Sequence, residues 1–144
     1  MSVKPSSVLV IYTGGTIGMV RDADTGSLVP VNYERLQSNI QEISRLDIEI
    51  DIYTFDQTID SSNIQPEHWV AIVEVIEKNY GKYDGFVVLH GSDTMAFTAS
   101  ALSFMIENLS KPVILTGSQL PIGVLRSDAR ENFITALEIA AMKE

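Results

Sequence analysis

Four short apolar runs dominate this chain, each followed by a loop of glycine and hydroxyl residues. Between them lie segments of helical period, so few architectures remain open. The runs cover residues 8–12, 48–55, 86–89 and 113–115 and are rich in β-branched and aromatic residues, as strands are. The first, third and fourth are apolar throughout, which predicts strands covered on both faces. The second alternates as Ile48, Glu49, Ile50, Asp51, Ile52, which predicts one face in water.

The gaps carry the other period. Pro66 suits a first helical position, and Trp69, Ile72, Val73, Ile76 and Tyr80 follow on one face, with Gly81 expected to close the helix. A second helix is predicted over 95–108. A third starts at Asp128, with Glu131 three residues later as a capping pair, and runs to the end of the chain. A weaker pattern covers 33–43. Strand and helix in alternation mean parallel strands joined by right-handed crossovers. The predicted fold is α/β: a doubly wound, mainly parallel sheet with helices on both faces, Rossmann- or flavodoxin-like. The 144 residues suffice for one such domain.

In an open parallel sheet the carboxyl ends of the strands lie along one edge, where ligands bind. Four loops therefore converge there: Thr13-Gly14-Gly15-Thr16-Ile17-Gly18, Asp60-Ser61-Ser62-Asn63, His90-Gly91-Ser92-Asp93-Thr94 and Thr116-Gly117-Ser118-Gln119. Any one of them reads as a turn with a helix cap, because both need the same residue types. Four at one edge read as a site.

Composition narrows the chemistry. Ten basic against nineteen acidic residues give a net charge of −9, with no two basic residues adjacent. Nucleic acid and anionic membrane surfaces are therefore unsuitable partners. No apolar stretch approaches the roughly 20 residues of a membrane span. There is no cysteine, which removes thiolate nucleophiles and Cys-based zinc. None of the four loops holds Lys or Arg, and Thr13 stands where a dinucleotide fingerprint begins with Gly. Asp60 and Asp93 are too few for a metal site, His68 and His90 come from different elements, and His90 is expected in the core as a hydrogen-bonded residue. Hydroxyl chemistry remains, with Thr16 exposed after a Gly-Gly turn, Asp93 to hold a cation, and loop amides to receive an oxyanion. The general base is missing. Lys82 and Lys111 precede their strands, at the opposite edge.

The two segments Thr13-Gly14-Gly15-Thr16-Ile17-Gly18 and His90-Gly91-Ser92-Asp93-Thr94-Met95 resemble the two signatures of the bacterial-type L-asparaginase family. Residues 100–104 and 111–121, Arg126-Ser127-Asp128 and Asn132 extend the resemblance over essentially the whole chain. Asp60-Ser61-Ser62 is most similar to the cytoplasmic type I branch. The resemblance implies hydrolysis of L-asparagine to L-aspartate and ammonia, without cofactor or metal. It implies Thr16 as the acylated nucleophile and Ser92 and Asp93 in a second triad, with Ser92 where the family usually has Thr. Asp60, Ser61, Ser62, Ser92, Asp93 and Ser118 are the implied substrate contacts. It further implies a homodimer or homotetramer at full length and a second domain supplying the triad Lys. On that reading residues 1–144 are a truncated N-terminal catalytic domain, expected to be inactive alone. The loop after Thr16 lacks the Tyr that many members use to activate the nucleophile. Two other readings stand beside this one: an amino-acid-binding domain without turnover, and the related tRNA-dependent amidotransferase subunit, which the lack of basic surface disfavours.

Overall fold

The computed structural model describes residues 4–22, 24–30 and 32–142. Its main sheet has four parallel strands: β1 (Ser6–Tyr12), β4 (Ile48–Thr54), β5 (Gly85–Leu89) and β6 (Val113–Thr116), in the order β4-β1-β5-β6. A hairpin of β2 (Met19–Arg21) and β3 (Leu28–Pro30) stands apart. The helices are α1 (Tyr33–Asn39), α2 (Pro66–Asn79), α3 (Met95–Met105) and α4 (Ala129–Ala140).

The sheet separates two apolar layers because successive side chains point to opposite faces. Val8, Val10 and Tyr12 of β1 join Leu36 of α1 and Phe133 and Leu137 of α4. Leu9 and Ile11 join Ile72 and Ile76 of α2 and Leu102 of α3 on the other face. Helices thus cover both faces, as a doubly wound sheet requires. β4 alternates as expected, with Ile50 buried and Glu49 and Asp51 exposed. β1 and β5 are covered on both faces, whereas Val113, Ile114 and Leu115 are only half-buried, because β6 pairs with β5 alone among the described residues.

Three local expectations change. α2 ends at Asn79 without a left-handed glycine: Tyr80 keeps helical backbone, and Gly81 follows in the turn. α3 stops at Met105, and Asn108 takes φ 54° beyond it. Asp128 does not cap α4. Its backbone is already helical and its carboxylate turns elsewhere, while the Ser127 hydroxyl accepts from the Ala129 amide. Of the tail predicted as helix to the end, 143–144 lie outside the described residues.

The strand order fixes where a ligand can sit. From β1 the chain crosses outward to β4, then returns to the other side of β1 with β5. The two crossovers diverge between the carboxyl ends of β1 and β5, which opens a crevice at that point.

Candidate active site

The Thr16 loop is shaped by contact with the loop after β5. Thr13 anchors its start, donating both its amide (3.2 Å) and its hydroxyl (2.9 Å) to the Leu89 carbonyl. Gly15 follows with φ 86°, a backbone that L side chains rarely adopt, and a Cβ there would lie 2.6 Å from the Gly91 amide nitrogen. One 3-10 turn, Thr16–Gly18, comes next; Ile17 and Gly18 are buried and Thr16 is left exposed. Tyr12 is the nearest phenol in sequence. Its hydroxyl donates to the Gly15 carbonyl at 3.3 Å, and burial pushes its pKa up to about 12, so it is no proton acceptor near neutral pH.

Two loops close the opposite wall. The Ser61 hydroxyl donates to the Asp93 carboxylate at 3.3 Å, and the Thr94 hydroxyl donates to the Ser61 carbonyl at 2.7 Å. A side chain on Gly91 would overlap Ser61, so this glycine lets the two loops meet. Asp60 accepts from the Ser62 amide (3.0 Å) and hydroxyl (2.8 Å), which hold its carboxyl below the usual carboxylate range. His90 lies beneath. Trp69 Nε1 donates to the Thr98 hydroxyl (3.0 Å), which is 2.9 Å from His90 Nε2. The Gly91 carbonyl can only accept, so Nδ1 carries the proton that goes to it at 2.7 Å; Nε2 of the neutral ring is then an acceptor, and Thr98 donates to it. Burial lowers the His90 pKa, and the ring is a neutral support for the loop.

The fourth loop is held from α4. The Asp128 carboxylate accepts from the amides of Gln119 (2.9 Å) and Leu120 (3.1 Å), which pull its pKa down. Ser118 turns inward and donates its hydroxyl to the Leu120 carbonyl at 2.7 Å.

These walls enclose a cleft of about 540 Å³. It gathers Thr16, Asp60, Ser61, Ser92, Asp93 and Ser118; Ser62 is not on its lining and is exposed beside Asp60. Composition alone did not flag Gln119, Met19 or Leu28. Gln119 donates to the Ser92 hydroxyl, and the other two bring the hairpin to the cleft mouth. The hairpin's turn was readable in Asp22-x-Asp24-Thr25-Gly26, where the Asp22 carboxylate accepts from the Thr25 amide and hydroxyl. Among the described residues, no Lys, Arg, His or Tyr lines the cleft, and no three His, Asp or Glu side chains come together as a metal would need.

The chain matches the family model described as Asparaginase, N-terminal, over residues 7–144. It belongs to that family. L-asparaginase 1 of Escherichia coli is 48% identical over 139 residues, an overlap of 96% of this chain and 41% of the relative. The crystal structure of L-asparaginase I from Vibrio cholerae superposes with a TM-score of 0.83 at 46% identity, covering 95% of this chain and 41% of that one. A probable cytoplasmic L-asparaginase from Campylobacter jejuni gives 0.79 at 30% identity, covering 96% and 43%. The chain thus spans about two fifths of the length of these family members. No helix among the described residues is long and apolar enough to cross a membrane.

Proposed function

We propose that the protein is a cytoplasmic L-asparaginase that uses Thr16 as nucleophile. The observation that carries the reading is the meeting of Thr16 with Ser61, Ser92 and Asp93 in one cleft at the β1–β5 switch point. Asp93, with Asp60 nearby, gives the cleft negative charge suited to the α-ammonium of an amino acid. The Thr16 oxygen attacks the side-chain amide carbon, and its proton passes to a base. The tetrahedral oxyanion collapses, the C–N bond breaks and ammonia leaves with a proton. The resulting ester is hydrolysed by water, which returns the Thr16 hydroxyl and releases L-aspartate. Backbone amides of the glycine-rich loops are the proposed donors to the oxyanion. Asp60 and Asp93 are the carboxylates on the described lining and are kept here for the ammonium, so a neutral Lys or a Tyr from outside that lining serves as base for the first step. The family relatives named L-asparaginase support this reading, and we propose a homodimer or homotetramer for the full-length protein.

The test is ammonia release from L-asparagine by the native protein and its Thr16→Ala variant. The variant is expected to lose turnover and keep its melting temperature and L-aspartate binding. Activity within a few-fold of wild type would reassign the nucleophile, with Thr13 next in line. Binding without turnover in the wild type would favour a simple amino-acid-binding role.

A further inference from the structure

The first turn of α4 grips the loop after β6 at several backbone atoms. Asp128 takes the amides of Gln119 and Leu120, the Ser127 hydroxyl donates to the Leu120 carbonyl at 3.0 Å, and Asn132 Nδ2 donates to the Gly117 carbonyl at 2.9 Å. Held in this way, Gln119 extends along the cleft wall and its Nε2 donates to Ser92 Oγ at 3.2 Å. Every link runs between named groups, from the start of α4 to a hydroxyl facing the cleft.

We infer that Gln119, fixed by Asp128, is a positioning residue for the Ser92 hydroxyl. The inference rests on the asparaginase reading of the cleft. A serine hydroxyl has one proton and two lone pairs. The Gln119 N–H occupies one lone pair, so the Ser92 proton turns away from Gln119 and toward the cleft. The same N–H stabilises negative charge that grows on Oγ when this proton is shared or given up during the reaction. Asp128 acts only through the loop: its two amide contacts set the backbone from which Gln119 reaches.

The experiment compares native protein with Gln119→Met, Gln119→Glu, Asp128→Asn and the Gln119→Met/Asp128→Asn double variant. For each, kcat and KM for ammonia release, L-aspartate affinity and Tm are measured. Gln119→Met keeps the length and loses the donor, so kcat is expected to fall by roughly 10- to 100-fold with KM little changed. Gln119→Glu places an acceptor where the donor was, draws the Ser92 proton out of the cleft, and falls further. Asp128→Asn keeps one acceptor oxygen and falls by a few-fold. The double variant is expected to be no worse than Gln119→Met, because both act through one hydroxyl. Wild-type kcat in Gln119→Met or Gln119→Glu overturns the inference, as does a lowered Tm with kcat retained, or losses that multiply in the double variant. A wild-type protein that releases no ammonia overturns the asparaginase reading, and this inference with it.

Discussion

Gly15 and Gly91 meet backbone against backbone, so close that a Cβ on Gly15 would lie 2.6 Å from the Gly91 amide nitrogen. This contact joins the Thr-Gly-Gly-Thr loop to the His-Gly-Ser-Asp loop and sets the spacing between Thr16 and Asp93 across the cleft. Gly15→Ala meets both a left-handed φ and a rigid neighbour, so it is expected to cost at least about 1–3 kcal/mol. That lowers Tm by roughly 3–10 °C for a chain of this size. Gly26 is the control: its φ of 70° is also left-handed, but no atom lies within 4 Å of its missing Cβ. Calorimetric melting of both variants decides the matter. A Gly15→Ala variant no less stable than Gly26→Ala would show that the contact does not constrain the loops.

One Thr98 hydroxyl bridges Trp69 and His90, accepting from the indole and donating to the imidazole. Thr98→Val keeps the volume and removes both bonds, leaving the indole N–H and His90 Nε2 without their partner. His90 is buried but Trp69 only half-buried, so the expected loss is about 2–4 kcal/mol, toward the lower end of roughly 1–3 kcal/mol for each of the two groups left unpaired. Urea unfolding measures it. A loss under about 0.5 kcal/mol would mean that water replaces the hydroxyl fully.

His90 also predicts a pH dependence. Burial lowers its pKa in the folded protein, so the unfolded chain takes up a proton that the folded chain refuses. Stability from this residue is fully present above the unfolded value of about 6.5 and is lost as pH falls through that value toward the lowered folded pKa. Unfolding free energies at pH 7.5 and 5.5 are therefore expected to differ in the wild type and to converge in His90→Gln. An equal decline in both proteins would assign the effect to another group.

Much of this arrangement is legible in the sequence because strands and their loops are marked by different residues. The continuous apolar runs of β1 and β5 announce two covered faces, and the glycines and hydroxyls after them announce the edge where they end. The order β4-β1-β5-β6 follows from crossover handedness only once the neighbours are known, so the switch point itself was not readable. The β2–β3 hairpin escaped because three-residue strands such as Met19–Arg21 carry too few positions to show a period. Asp128 misled for a different reason. An Asp before a helix reads as a cap, but here the Gln119 and Leu120 amides, nine and eight residues back, compete for its carboxylate and win it. Ser118 looks in sequence like a hydroxyl offered to a ligand, and local geometry turns its proton onto Leu120 instead. Short-range side-chain competition of this kind leaves no periodic trace.

Asp93 provides the test of ligand charge. Its carboxylate accepts from the Ser61 hydroxyl and is exposed on the cleft lining, so an incoming ammonium would pair with it under partial solvation rather than in a dry core. A charge-assisted hydrogen bond in that setting is worth about 1.5–3 kcal/mol, less than a fully buried ion pair. Asp93→Asn keeps the shape and the acceptor oxygen for Ser61 while removing the charge. L-aspartate affinity is therefore expected to weaken by roughly 10- to 100-fold, with Tm nearly unchanged. Titration calorimetry on the native protein gives the first quantity and thermal melting the second. The salt dependence adds a further check, since the wild-type affinity should fall with ionic strength more steeply than that of the variant. Unchanged affinity with a lowered Tm would make Asp93 a support for the Ser61 loop and would move the ammonium site to Asp60.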